Sequence, residues 1–192
     1  MAKLQCTRGI SIFRNLHDLA TLVTQSISDG PSATGAFFLG GRNVVPQVEA
    51  VEARVPIRIR SQRLVPDSGG AGRWRGGLGV ETRIELLEDS ELAVRNERTR
   101  VAPRGRDGGA DGRAGVQYAV SPDGQRRDIP AKIANHRIPA GDTFVLVTSG
   151  GGGLGDPAAR DPEALREDLA ERHISAEASR RDYGQPTAEG SS

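Results

Sequence analysis

Dense runs of glycine, with arginines beside them, are the residues of this chain most open to a chemical reading; three histidines, scattered serines and one cysteine complete the list. The series Gly150-x-Gly152-x-x-Gly155 follows an apolar run and precedes a helix signal, the order that a dinucleotide-binding turn requires. In such a turn the pyrophosphate rests on the amides of the following helix. Here Asp156-Pro157 intervenes, and Asp156 and Asp161 would repel phosphate. The second strand–helix unit with its ribose-binding acid is missing as well. The run therefore reads as a structural loop in which glycine lets backbones approach closely. If Gly152 holds a positive φ, valine at that position would be destabilising.

A second cluster is Pro66-Asp67-Ser68-Gly69-Gly70-Ala71-Gly72-Arg73-Trp74-Arg75-Gly76-Gly77-Leu78-Gly79. It lacks the Gly-Lys-Ser/Thr ending of a phosphate loop, which excludes ATP binding by that route. Trp74 is its one large anchor, flanked by Arg73 and Arg75. An arginine there either stacks on the indole or snorkels at the rim, and the second is the simpler expectation.

His17, His136 and His173 have no partner at metal-ligand spacing, so this chain alone offers no zinc site. Cys6 lies in an unpatterned stretch and no serine sits in a nucleophile elbow. Carboxylates are plentiful, but spacing singles out none as a general base. The catalytic residues are unknown from the sequence.

The elements that would carry the glycine runs are mainly extended. Val55-Pro-Ile57-Arg-Ile59 and Val80-Glu-Thr82-Arg-Ile84-Glu-Leu86 alternate apolar with polar, the period of a strand with one wet face. Glu88-Asp89-Ser90-Glu91, between Leu86-Leu87 and Leu92-Ala93-Val94, reads as a hairpin connection. Pro122-Asp123-Gly124, after Val116-Gln-Tyr118-Ala-Val120, reads as another. Pro103 to Gly115 has no large apolar residue and is expected to be a surface loop. A last strand, Thr143 to Thr148, leads into the 150–157 run. Asp161-Pro162-Glu163 then supplies an N-cap, a first-turn proline and a first-turn acid for a helix with Leu165 and Leu169 on one stripe. A second short helix should start at the cap Ser175 and stop at Gly184.

The expected fold is mainly β (α+β): an antiparallel or mixed sheet domain with one or two short C-terminal helices. Residues 1–45 read as a poorly patterned N-terminal segment, in which Ile10-Ser11-Ile12-Phe13, Leu16, Leu19, Leu22 and Val23 suggest a short helix before the breakers Ser28-Asp29-Gly30-Pro31-Ser32. Residues 46–157 form the β-rich domain, 158–184 the helical segment and 185–192 a disordered tail.

Composition narrows the partners. With 26 Lys+Arg against 25 Asp+Glu the net charge is +1, so no global field draws in nucleic acid or an anionic membrane. The cations are nearly all arginine, Lys3 and Lys132 being the only lysines, which reflects genome composition or, in part, ion pairing and anion recognition. No stretch approaches the ~20 apolar residues of a membrane span, and no signal-peptide pattern opens the chain, so a cytoplasmic setting is expected.

Taken in order, these pieces resemble one family. They are Val48-Glu-Ala-Val-Glu-Ala-Arg-Val-Pro56, Leu64 to Gly79, Asn96-Glu-Arg98, Pro103 to Gly115, Lys132, Ala140-Gly-Asp142, Thr148-Ser-Gly-Gly-Gly-Gly-Leu-Gly-Asp-Pro157, Arg160-Asp-Pro-Glu163, Ile174-Ser175 and Tyr183-Gly184. The chain resembles the C-terminal region of the hydantoinase B/oxoprolinase family, to which subunits of acetone and acetophenone carboxylases are related. The likeness spans roughly Asn43 to Gly184.

The resemblance implies a fragment of a hydrolase acting on the C–N bonds of cyclic amides such as hydantoin or 5-oxoproline. It would work in a hetero-oligomer with a hydantoinase A-type subunit that uses ATP. ATP and a divalent metal are implied for the complete enzyme, whose metal-ligating residues would lie in an N-terminal majority outside this sequence, and no cofactor is implied for this chain. In such chemistry charge gathers on oxygen, where glycine-loop amides or an arginine can stabilise it. The candidates for such a substrate or anion loop are Ser68, Gly69, Gly70, Arg73, Arg75, Gly151, Gly152, Gly153 and Asp156. A carboxylase subunit and a non-enzymatic β-rich assembly module are the alternatives.

Overall fold

The computed structural model describes residues 2–6, 11–14, 28–32 and 48–184. In chain order the elements are β1 (Ala2–Cys6), β2 (Ser11–Arg14), α1 (Val48–Glu52), β3 (Ile57–Leu64), β4 (Val80–Leu86), β5 (Ser90–Arg95), β6 (Val116–Val120), β7 (Arg126–Asp128), β8 (Lys132–Ile138) and β9 (Thr143–Val147). A one-turn 3-10 helix (Pro157–Ala159), α2 (Pro162–Ala170) and α3 (Ala176–Tyr183) follow. One sheet has the order β3-β4-β9-β6-β7 and the other β2-β1-β5-β8, with antiparallel pairing throughout. The protein is mainly β with short helices, as its alternating runs imply.

Alternation produces the core. Ile57, Ile84, Leu86, Ala119, Phe144 and Leu146 from the five-stranded sheet meet Leu92, Val94 and Ile138 from the other, together with Val51 and Val55 from α1 and the turn after it. Full burial of a side chain of this size contributes about 1.5–3 kcal/mol, so this shared cluster is what holds the two sheets face to face.

The connection at Glu88–Glu91 departs from the hairpin expected of it, because β4 and β5 belong to different sheets. Leu86 and Leu92 enter the same core from opposite layers, so the chain crosses between layers instead of folding back. The corner is held by Asp89, whose carboxylate accepts from the Ala140 amide at 2.9 Å, and by the Leu87 amide, which donates to the Pro56 carbonyl at 2.9 Å. The turn at Pro122-Asp123-Gly124 does join a paired hairpin, β6 to β7, with Gly124 at φ +87°.

Three further differences have local causes. Ser11–Arg14 is a strand where a helical pattern was expected, because β1, itself paired with β5, offers it a ladder; Leu16, Leu19, Leu22, Val23 and the tail from 185 lie outside the described residues. Val48–Glu52 is a helix inside the stretch read as extended, with Val51 buried. The polar strand β8 carries no clean alternation because its pairing with β5 shifts register between Leu92 and Val94, with Asn135 at φ +55°.

Both C-terminal helices begin where their caps place them. Asp161 accepts from the Glu163 amide at 2.9 Å, Ser175 from the Ala178 amide at 3.1 Å, and Gly184 ends α3 in the left-handed region at φ +65°. Leu165 and Leu169 of α2 pack with Ile174, Tyr183 and Ala71, which docks the helices on the 66–79 glycine run, the first in chain order.

Candidate functional site

The glycine runs lie outside the named strands and pair only in the isolated bridges Trp74–Leu154 and Arg106–Leu154, yet much of their backbone is hydrogen-bonded. Five of the six amides of the 150–155 run donate to different neighbours: Gly150 to Arg113, Gly151 to Gly77, Gly153 to Ala110, Leu154 to Trp74 and Gly155 to Arg106, all at 2.9–3.0 Å. In return, Gly70 donates to Gly151 and Arg106 to Gly153, at 2.8 and 2.9 Å. The 150–155 run is thus enclosed by residues 68–77 on one side and 104–113 on another.

This enclosure explains the composition. A Cβ on Gly150 would lie 1.7 Å from the Ser68 carbonyl oxygen, and one on Gly152 would lie 2.1 Å from the Arg104 carbonyl oxygen. Gly152 does not have a positive φ; within the run only Gly155 does, at +76°. Close approach, and not the left-handed backbone considered above, is what demands glycine at 152. The Pro103–Gly115 stretch, expected as a plain surface loop, is the third partner in this packing, with its arginine and aspartate side chains exposed, Pro103 buried and its backbone bonded to both glycine runs.

A buried ionic group closes one end of the bundle. Arg75, 4% exposed, directs Nε to both oxygens of Asp168 at 3.0 and 3.1 Å and Nη1 to the Gly76 carbonyl at 2.8 Å. Arg160 grips Asp29 through Nη1 and Nη2, each at 2.8 Å, while Nη2 also reaches Asp168 at 2.6 Å. The Arg75 amide donates to Asp29 at 2.7 Å. Burial pushes the Asp29 carboxyl up, but the hydrogen bonds and charge of Arg160, with the Arg75 amide and charge, outweigh it and hold Asp29 below its ordinary value. Burial likewise disfavours the Arg160 charge, and Asp29 and Asp168 reverse that and raise it. Tyr183, whose ring lies 5.8 Å from the Arg160 guanidinium carbon, is pushed up to about 12 mainly by burial. At the edge, His173 Nδ1 stands 3.3 Å from Asp168.

All nine sequence candidates fall in or on this bundle. Ser68 is buried and staples its own loop, donating to the Val65 carbonyl at 2.6 Å and accepting from the Gly79 amide at 2.9 Å. Gly69 packs on the Gly76 carbonyl, and the amides of Gly70, Gly151 and Gly153 are engaged by backbone carbonyls. Arg73 is exposed with its guanidinium 5.6 Å from the Trp74 ring, whereas Arg75, expected beside it at the rim, points inward to carboxylates. Asp156 caps the 3-10 turn by accepting from the Ala158 amide at 2.9 Å.

The residues that sequence reasoning missed are Asp29, Arg160, Asp168 and His173. One signal was present: Asp168 sits within the apolar stripe of α2, between Leu165 and Leu169, and is itself buried. Chemically the group is two cations against two anions, a mutually neutral lock. It joins residues 28–32, the first glycine run and α2.

The hydantoinase B/oxoprolinase family model matches residues 24–157, which begins earlier than the likeness at Asn43 and stops at Pro157. A Pseudomonas protein named as the B component of a D-/L-hydantoinase is 30% identical over 157 residues, covering 81% of this chain and 26% of that protein. Among solved structures, the ATP-dependent caprolactamase of Pseudomonas jessenii superposes with a TM-score of 0.85 at 22% identity, over 100% of this chain and 34% of its own. Acetone carboxylase, in its nucleotide-free structure, does so with a TM-score of 0.78 at 18% identity, over 100% of this chain and 30% of its own. The chain spans 24–28% of the length of some curated relatives it matches and 8–10% of others. With both glycine runs inside the matched residues, the chain belongs to the hydantoinase B/oxoprolinase family.

Proposed function

We propose that this chain is the C-terminal portion of a hydantoinase B/oxoprolinase-type subunit and supplies a rigid frame for ATP-dependent hydrolysis of cyclic amides beside a hydantoinase A-type partner. The observation behind this reading is the family match across 24–157, which contains the whole hydrogen-bonded glycine bundle. The partner would use ATP to activate the ring amide, and the complete B-type side would finish ring opening. Holding reacting groups in register is worth several kcal/mol of barrier, and a closely packed backbone frame suits that task.

Among the described residues no three His, Cys, Asp or Glu side chains gather as a metal site, and several glycine amides already donate to backbone. No metal or nucleotide step is therefore assigned to these residues. If an arginine of the bundle faces the reacting oxygen, Arg73, the sequence candidate whose side chain is exposed at the rim, is the one placed to do so.

Co-expression with a hydantoinase A-type subunit and a B-type subunit from which this region has been removed tests the reading. ATP-dependent opening of hydantoin or 5-oxoproline, present with the chain and lost without it, is the expected result. Bicarbonate-dependent carboxylation of a ketone would favour the carboxylase reading, and no effect of the chain on either reaction would leave an assembly module.

A further inference from the structure

Aspartate precedes glycine at Asp29-Gly30, Asp107-Gly108, Asp111-Gly112 and Asp123-Gly124, and no asparagine does. In such a pair the backbone can attack its own side chain, because glycine has no Cβ to hinder the approach of its nitrogen to the carboxyl carbon. Attack needs two groups to be free: the carboxyl, and the peptide that must rotate to bring the nitrogen in.

Three of the pairs are held at both groups. The amides of Gly30, Gly112 and Gly124 donate to the carbonyls of Arg75, Pro103 and Ser121, each at 2.8 Å. Their carboxylates are engaged as well. Asp29 accepts from Arg160 at 2.8 Å and from the Arg75 amide at 2.7 Å, and Asp111 accepts from the Gly105 amide at 2.8 Å. Asp123 accepts from the Ser121 hydroxyl and, at 3.3 Å, from the Gln125 amide.

Asp107-Gly108 differs at each of these points. Both residues are exposed, and among the described residues neither the Asp107 carboxylate nor the carbonyl or amide of the joining peptide has a hydrogen bond or ion pair. The flanks, by contrast, are fixed. The Arg106 carbonyl accepts from the Gly109 amide at 2.9 Å, closing a turn with Asp107 at φ +50° and Gly108 at φ +93°, a doubly left-handed pattern that suits aspartate and glycine. The Arg106 amide donates to Gly153 at 2.9 Å and the Ala110 amide to Ala71 at 2.7 Å. A Cβ built on Gly108 would meet nothing nearer than the Asp156 amide nitrogen at 3.6 Å, so the turn is uncrowded. The 107–108 peptide can therefore rotate without giving up a hydrogen bond, which the other three cannot.

We propose that Asp107-Gly108 is a site of spontaneous isoaspartate formation at the edge of the glycine bundle. The Gly108 nitrogen attacks the Asp107 side-chain carboxyl carbon. An N–C bond forms, a C–O bond breaks, and the amide proton leaves with the carboxyl hydroxyl as water. The resulting succinimide takes up water at either of its carbonyls. One opening restores aspartate; the other leaves isoaspartate, with the main chain running through the former side-chain carboxyl carbon. Nothing is oxidised or reduced, and water is the only co-reactant. The product carries one more methylene in a turn whose flanks are pinned to Gly153 and Ala71, so the change bears on how the 103–115 stretch packs against the glycine runs.

The test keeps the full chain folded for weeks in mildly acidic heavy-oxygen water. Its peptides are then mapped by electron-transfer fragmentation, which separates isoaspartate from aspartate. Each ring opening leaves one heavy oxygen behind. Asp107 should carry at least fivefold more label than Asp29, Asp111 or Asp123, whose pairs react only through local opening. In denaturing urea that advantage should fall below twofold, because the fold no longer separates the pairs. Asp107→Glu, whose ring would need six members, should abolish labelling there. Should that variant misfold, Asp107→Asn should convert faster than wild type to the same two products. Equal labelling of the pairs in the folded chain, or more at Asp111 or Asp123 than at Asp107, overturns the proposal, and an advantage undiminished in urea overturns its basis in the fold.

Discussion

Arg75 and Asp168 are 93 positions apart in the chain, yet the Arg75 Nε lies within 3.1 Å of both Asp168 carboxylate oxygens in a buried setting. With Arg160 and Asp29 completing the group, the first glycine run, residues 28–32 and α2 are fixed to one another. Asp168→Ala would leave two buried cations facing Asp29 alone. Breaking a buried pair in this way costs about 3–5 kcal/mol, whereas apolar replacement of both partners restores much of the loss. Urea unfolding of Asp168→Ala against Arg75→Met/Asp168→Leu checks this; a single-variant loss below about 1 kcal/mol would contradict it.

Glycine at 152 answers to a neighbouring carbonyl. Gly152→Ala places a Cβ 2.1 Å from the Arg104 oxygen and should either prevent folding or cost several kcal/mol, well beyond the ~1 kcal/mol of an ordinary glycine effect. Gly124→Ala, at φ +87° with open space around it, should cost only about 1 kcal/mol. Melting temperatures of the two variants should differ in that order.

Alkaline stability should depend on Tyr183. Its folded-state value of about 12 exceeds the ordinary phenol value of 10.0. Between those values the unfolded chain releases a proton that the folded protein keeps, so stability falls as pH rises through that window. Tyr183→Phe should flatten the decline in melting temperature there, since the Tyr183 hydroxyl has no hydrogen-bond partner to lose among the described residues. An identical slope in the variant would count against it.

At the acid end the sign reverses. Asp29 titrates below its ordinary value, so its contribution is present above the unfolded value of 3.8 and is lost as pH falls through the depressed folded one. Acid unfolding of Asp29→Asn should start from lower stability and lose less of it on acidification.

Much of the frame could be read from residue types. Val80–Leu86 alternates in its second half because Ile84 and Leu86 enter the core, whereas in Val116–Val120 the buried face carries Gln117 and Ala119, and Asp161-Pro162 and Ser175 signal helix starts through local hydrogen bonding alone. The Glu88–Glu91 crossing could not be read, because a turn-rich connection looks the same whether its strands pair or pass to another sheet. Polar β8 was hidden by its register shift. The ionic group was hidden for a different reason: Asp29, Arg75, Arg160 and Asp168 carry no spacing rule, and only the fold brings them together. Dense glycine did announce a close approach of backbones, although which backbones meet required the coordinates.

Amide chemical shifts of the isotopically labelled chain, followed while Mg-ATP is added, address most directly whether the glycine runs are a frame or a nucleotide cradle. If their amides are committed to internal carbonyls, the signals of Gly150, Gly151, Gly153 and Gly155 stay in place at millimolar nucleotide. A saturable shift centred on those signals would show that phosphate sits on the run after β9, and the frame would not be its role.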